Sequence, residues 1–319
     1  MEKSNVIHIA LGVNNKYFPY AGVLMTSILL NSFKEHIVFH VAFSEKPSKI
    51  NKEKKDKFNL IYNNANIIIY DLSEQIDKLP NLSIYTSKRF DKSILLRILL
   101  PDVIDKDIKK LLYLDADILC IGNIKELWQI DIENFILGAC PYKKKHGPEQ
   151  IKRLGLNTNL YFNSGVLLIN MEKWRVKNIT DIIIDCYNKF YEFFLLPDQD
   201  AINVVLQNNI YCLPYKFNRM TAPNDPTLDL CEKGDILIHF VNEAKPWIDG
   251  NTIKFDKMYK LYVSQSLWND IEFIIPDSVE LMILAGRNYE EKKDYKKATY
   301  YYGTTAQKLM KYYLDREKL

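Results

Sequence analysis

The sequence predicts an α/β fold: a mainly parallel sheet flanked by helices, with a small helical region at the C-terminal end. Three observations predict it. Short apolar runs of strand length alternate with longer segments that carry helix signals, the pattern of a parallel sheet. One such run, Lys110–Leu114, leads into two carboxylates, Asp115 and Asp117. Ligands in sheets of this kind bind beyond the carboxyl ends of the strands, where this pair lies. Finally, Arg287–Leu319 is more basic and richer in tyrosine than the rest of the chain.

The elements follow in order. Val6–Leu11 reads as a buried strand and Gly12–Lys16 as the loop after it. Pro19 opens a helix that runs through Leu30, because proline is tolerated in a first helical turn. Ile37–Ser44 is a second strand. Ser48 caps a helix over Lys49–Asn63. Asn66–Tyr70 is a third strand, and Ser93–Leu100 is an apolar helix stopped by Pro101. Lys110–Leu114 carries the aspartate pair, and Ile136–Cys140 and Gly165–Asn170 are further strands. Thr180–Phe194 and Gln199–Gln207 are helical, and Ile236–Phe240 is a late strand. Met282–Lys293 and Tyr295–Leu314 read as two helices with a break near Asp294, the second weakened by Gly303.

Composition narrows the function. The chain has 319 residues, 47% hydrophobic and 26% charged, enough for one large core with an appendage. A net charge of +3 makes no case for nucleic acid. Val6–Leu11 is too short for a signal-peptide core, and no apolar stretch nears the length of a membrane span. Cys120, Cys140, Cys186, Cys212 and Cys231 are scattered and without zinc spacing, which suits reduced cysteines in the cytosol.

Several side chains point to chemistry. In an extended backbone residues i and i+2 share a face, so Asp115 and Asp117 aim at one point. Hard divalent cations take carboxylate oxygens, and a cation there would hold a phosphorylated ligand. The competing reading is an Asp-x-Asp in a solvated turn, against which the apolar flanks argue. Arg97 lies among Leu95, Leu96, Ile98 and Leu99 and must meet an anion. A structural ion pair and a substrate contact are both open. Asn163-Ser164-Gly165 brings polar groups and a glycine to the start of a strand. Asp198 either caps the helix that it opens or acts on a substrate. His239 ends a strand just before Lys245-Pro246-Trp247.

These segments resemble the family 8 retaining glycosyltransferases of the bacterial lipopolysaccharide core glucosyl- and galactosyltransferase type. The resemblance rests on Tyr-Leu-Asp-Ala-Asp at 113–117 and Phe-Asn-Ser-Gly-Val-Leu-Leu-Ile-Asn at 162–170. It also rests on Asp-Gln-Asp at 198–200 and on His239-x5-Lys245-Pro246-Trp247, in the family's order. It covers most of Val6–Trp247, with a weaker likeness over Leu261–Ile271. It implies a GT-A fold with a catalytic domain over 1–250 and a helical basic region over 251–319. It implies Asp115, Asp117 and His239 as metal ligands. An imidazole in that set moves preference from Mg²⁺ toward Mn²⁺. It implies donor contacts by Ala10, Asn14, Arg97, Asp115, Ala116, Asp117, Asn163, Asp198, Asn242 and Lys245, the lysine at the diphosphate of a UDP-sugar. Gln199 matches the position of a proposed catalytic group. An amide is a poor nucleophile, so same-face attack is expected, with Gln199 stabilising positive charge and Asp198 holding sugar hydroxyls.

Two departures from the family pattern concern recognition. Relatives carry an aspartate in the first loop, where this chain has Gly12-Val13-Asn14-Asn15-Lys16. Tyr142, followed by Lys143-Lys144-Lys145-His146, replaces an acceptor-contacting aspartate of one relative. The lysines are either a solvated loop or a site for a phosphorylated acceptor. The acceptor is expected to be a glycolipid or oligosaccharide of the lipopolysaccharide core, with a surface glycoprotein or wall polymer as the alternative. A phosphohydrolase of the Asp-x-Asp type fits poorly, since Ile118-Leu119-Cys120 follows the pair and His239–Trp247 would go unexplained. In Arg287–Leu319 nine Lys/Arg against five Asp/Glu give +4. Two readings stay open for this tail. It brings a cytoplasmic enzyme to the inner face of the plasma membrane, or it is a helical hairpin packed on protein.

Overall fold

The computed structural model describes residues 6–142, 146–221, 232–241, 243–253 and 255–316. The chain divides into two compact units, Met1–Arg219 with Glu232–Ile238, and Met220–Cys231 with His239–Leu319. The strands are β1 (Val6–Val13), β2 (His36–Phe43), β3 (Ala65–Asp71), β4 (Lys110–Leu114), β5 (Ile118–Cys120), β6 (Leu137–Pro141), β7 (Phe162–Asn170), β8 (Ile210–Cys212), β9 (Arg219–Thr221) and β10 (Leu237–Phe240).

In the first unit a seven-stranded sheet has the order β3-β2-β1-β4-β7-β6-β8. Its pairs are parallel except where β7 runs against β4 and β6. The expected α/β fold with a mainly parallel sheet is therefore present. The central strands are buried on both faces, which is why they read as continuous apolar runs. A small sheet has the order β5-β10-β9. Helices Phe18–Asn31, Lys49–Ile61, Leu96–Val103, Ile179–Phe190 and Pro197–Leu206 accompany the main sheet. Leu96, Leu100, Tyr113, Leu167, Trp174 and Tyr187 belong to its core.

The local signals explain most boundaries. Pro19 sits in the first turn of its helix, and the Ser48 hydroxyl accepts from the Asn51 N–H at 3.2 Å. β1 runs two residues further than expected, because Gly12 and Val13 pair with Ala42 and Phe43. Gly12 also allows close packing: a Cβ there would lie 2.9 Å from Leu96 Cβ. Pro101 does not stop its helix but lies inside it, and Leu96–Val103 follows a 3₁₀ turn over Lys92–Leu95. Arg175 closes this stretch. Its guanidinium donates to the carbonyls of Pro101, Ile104, Asp105, Lys106 and Ile108 at 2.7–3.2 Å, satisfying acceptors at and beyond the helix end. The sequence reading also passes over helices Ser73–Lys78, His146–Leu154 and Met171–Val176, all short.

In the second unit, helices Val279–Glu291 and Tyr295–Arg316 form the expected pair. Lys293, with φ of 59°, lies in the break between them. A Cβ on Gly286 would come within 2.6 Å of the Tyr302 ring, so the two helices approach closely there. The pair packs on its own unit. Tyr289 and Tyr301, stacked at 5.8 Å, both donate to Asp249, at 2.5 and 2.7 Å. Asn288 Nδ2 donates to the carbonyls of Gly250 and Asn251.

A polar chain crosses the first three strands. His8 Nδ1 lies 3.0 Å from His40 Nε2, and His40 Nδ1 lies 2.9 Å from the Tyr70 hydroxyl. Burial, then the His8 charge, depress the His40 pKa to about 4. Above pH 6.5 the imidazole is neutral whether the chain is folded or unfolded. Between about 6.5 and 4 the unfolded chain takes up a proton that the folded chain refuses, so stability is lost as pH falls, by roughly 3 kcal/mol. Urea unfolding of His40→Gln at pH 7 and pH 4.5 should show a smaller loss than wild type; an equal loss would contradict this.

Candidate functional site

The site in the first unit is built around Arg97, which is buried. The first turn of helix Leu96–Val103 carries it, beneath the ends of β4 and β7. Its Nη2 lies 2.8 Å from Asp115 Oδ1 and its Nε 3.1 Å from Asp198 Oδ2. Nη1 donates to the Ser164 carbonyl at 2.7 Å and to the Ser164 hydroxyl at 2.8 Å. The guanidinium also stacks 4.9 Å above the Tyr113 ring, whose hydroxyl donates to Asp115 Oδ1 at 3.0 Å. Burial disfavours the charge on Arg97, but Asp115 and Asp198 outweigh it and hold the pKa above its ordinary value. Burial raises the Tyr113 phenol well above its own, Arg97 opposing and Asp115 adding. The ion-pair reading of Arg97 is thus observed.

The aspartate pair lies just beyond the strand rather than in it. β4 ends at Leu114, and Asp115–Asp117 form the turn into β5. Strand alternation therefore does not aim these side chains. The Asp115 N–H donates to the Gly165 carbonyl at 2.8 Å, which continues the β4–β7 ladder by one residue. Both aspartates are half-buried. The Tyr17 phenol is pushed up to about 12, first by burial and then by the charge of Asp117. Arg97 pairs with Asp115 and Asp198, and Asp117 lies two residues from Asp115 in the same turn. Carboxylates of this kind suit a hard divalent cation.

Gln199 forms the second cluster, on helix Pro197–Leu206. Its Oε1 accepts from the Ser164 N–H and from Asn163 Nδ2, both at 3.1 Å. Asn163 Oδ1 accepts from the Gly165 N–H and from Asn218, and its Nδ2 also reaches the Tyr142 hydroxyl. Gln199 Nε2 donates to the Tyr161 hydroxyl at 3.0 Å. Asp198 does not cap its helix: its Oδ2 accepts from the Ser164 hydroxyl at 2.8 Å. Asp200 ties the chain just before the helix, with Oδ2 accepting from the Leu195 and Leu196 N–H groups and from Arg153. Sequence reasoning singled out neither Tyr113, Arg153 nor Asp200. The signal it had was the Asp-Gln-Asp triplet, whose two acids face different partners.

The remaining expected residues lie as follows. Ala10 is buried in β1, paired with Tyr113 and His40. Ala116 is buried in the aspartate turn. Asn14 Oδ1 accepts from the Tyr17 N–H at 2.9 Å and so ties the loop after β1. In the second unit His239 is buried in β10, and Lys245 Nζ donates to the Phe240 carbonyl at 2.5 Å. Asn242 and the Lys143-Lys144-Lys145 run lie outside the described residues.

Comparison with known proteins agrees with this architecture. The family described as Glycosyl transferase family 8 matches residues 8–251. The chain is 28% identical over 286 residues to General stress protein A of Bacillus subtilis, covering 85% of this chain and 98% of that one. It is 24% identical to the lipopolysaccharide 1,2-glucosyltransferase of Escherichia coli, covering 84% and 80%. A solved structure of the galactosyltransferase LgtC with donor and acceptor sugar analogues superposes with a TM-score of 0.69 at 22% identity, covering 82% and 96%. That neighbour supports the expected GT-A fold.

Proposed function

The chain belongs to glycosyl transferase family 8, and on that premise we propose that it moves a hexose, glucose or galactose, from a UDP-sugar to a lipopolysaccharide or lipooligosaccharide core acceptor with retention of configuration. The observation that carries this reading is the Arg97-centred cluster, where Asp115 and Asp198 converge within 3.1 Å of one buried guanidinium. The likeness to a lipopolysaccharide glucosyltransferase over 84% of the chain supports the acceptor class. The catalytic domain is assigned to residues 1–250 and a helical basic region to 251–319.

Asp115, Asp117 and His239 are the proposed ligands of a divalent cation. Two carboxylates and an imidazole suit Mn²⁺ first and Mg²⁺ second. When bound, the cation supplies charge neutralisation to the departing diphosphate. The chain's own residues do the rest. Lys245 binds the diphosphate. Ala10, Asn14, Ala116, Asn163 and Asn242 line the donor. Arg97 holds Asp115 and Asp198 in place, and Asp198 positions sugar hydroxyls. Gln199 presents an amide, a poor nucleophile, so the acceptor attacks from the face that UDP leaves, and Gln199 stabilises the positive charge at the anomeric carbon.

UDP-glucose and UDP-galactose should be screened for hydrolysis without acceptor. One of them should be cleaved in Mn²⁺. Asp115→Asn and Asp117→Asn should each abolish that cleavage with the fold retained by circular dichroism. His239→Ala should lose more activity with Mn²⁺ than with Mg²⁺. Cleavage by either aspartate variant at the wild-type rate, without Mn²⁺ dependence, would contradict the assignment.

The last helix is proposed to touch the inner face of the plasma membrane. Among the described residues no helix is long and apolar enough to cross a membrane. The far end of the last helix exposes Met310, Tyr312, Tyr313 and Leu314 beside Lys308 and Lys311, which supports contact with an anionic surface. Full-length protein should sediment with anionic liposomes at low salt, and a chain ending at Gln307, which keeps Tyr301 and Tyr302, should not. Full-length protein that stays in the supernatant would contradict it.

A further inference from the structure

Gln199 is held by a chain of hydrogen bonds whose direction the backbone fixes. The Ser164 N–H can only donate, so the Gln199 atom 3.1 Å from it is the carbonyl oxygen. The same logic fixes Asn163, since the Gly165 N–H donates to its Oδ1 at 2.9 Å. Asn163 therefore turns its amino group to Gln199 Oε1. With Oε1 assigned, Gln199 Nε2 must donate to the Tyr161 hydroxyl at 3.0 Å. That hydroxyl then has its own proton for Asp200 Oδ1, 2.5 Å away. Burial first, and then the Asp200 charge, hold the Tyr161 phenol above its ordinary pKa, so it keeps that proton. The other oxygen of Asp200 accepts from Arg153 at 2.7 Å and from two backbone N–H groups. The carboxylate is fully buried, with Arg153 closing the chain from the partly exposed side.

We propose that Tyr161, anchored by Asp200 and Arg153, is a positioning residue for Gln199. Without the phenolic oxygen the Gln199 amino group loses an acceptor inside a buried cluster, and the amide keeps only its contacts with Ser164, Asn163 and the Tyr142 phenol. The plane of the amide is then held less firmly, and the group shifts from the place that the full set of contacts defines. The inference deepens the proposed role of Gln199 and rests on it. Asp200 has no step of its own in this account: its oxygens are committed to Tyr161, Arg153 and the backbone.

Tyr161→Phe tests it, because the ring stays, including its packing 5.9 Å from the Tyr142 ring, while the hydroxyl goes. In UDP-sugar hydrolysis kcat should fall by roughly ten- to a hundredfold, the loss expected for a misplaced reacting group, with donor KM changed less than about twofold. In a Gln199→Ala background the same substitution should have little further effect, since the group that it positions is gone. Arg153→Met, at the partly exposed end, should show the same kcat-selective loss in smaller measure, and it supplies the test if Tyr161→Phe does not fold. If Gln199→Ala leaves kcat unchanged, the reading of Gln199 itself fails. If Gln199→Ala lowers kcat while a folded Tyr161→Phe leaves it unchanged, or lowers it by the same factor in both backgrounds, the positioning role fails alone.

Discussion

Everything around the candidate site depends on where one buried guanidinium meets its carboxylates. A charge taken out of water is costly unless it is paired and hydrogen-bonded, and Arg97 meets that demand through Asp115, Asp198, Ser164 and the Ile94 carbonyl. The partners come from four places in the chain. The pairing therefore ties the helix at 96–103, the end of β4, the start of β7 and the helix at 197–206 into one arrangement. A folding constraint and the proposed binding geometry meet at one residue: Asp115 pairs with Arg97 and is also a proposed cation ligand.

Much of this is legible in the sequence. Buried parallel strands write themselves as continuous apolar runs, and Asp115 interrupts such a run with a charge that has to be met. Arg97, set among leucines and isoleucines, announces an ion pair in the same way. What is not legible is which acid answers it. Asp198 and Asp200 sit two residues apart in one helical turn, and only tertiary placement sends Asp198 to Arg97 and Asp200 to Tyr161 and Arg153. Helix capping by Asp198 is a sound local rule that loses to that placement. Pro101 is a similar case: a local breaker lies inside the helix, and the stop comes later, where Arg175, distant in sequence, takes up the carbonyls at and beyond the helix end.

The C-terminal helices show the same division of labour. Their periodicity and the break near Asp294 are visible in the sequence, but their docking is not. It depends on Asp249, which receives two tyrosine hydroxyls, and on Gly286, which admits the Tyr302 ring. Three of the seven tyrosines of Arg287–Leu319, Tyr289, Tyr301 and Tyr302, are thus spent on packing within their own unit. Tyr312 and Tyr313 remain exposed at the far end of the last helix.

The central claim is that this acidic cluster binds a nucleotide diphosphate through a divalent cation. Calorimetric titration of UDP into the purified protein tests it most directly. With Mn²⁺ present, UDP should bind at least about tenfold more tightly than in EDTA, a difference of about 1.4 kcal/mol. Equal affinity in the two conditions would contradict the account, since the carboxylates at Asp115 and Asp117 would then repel the diphosphate rather than hold it.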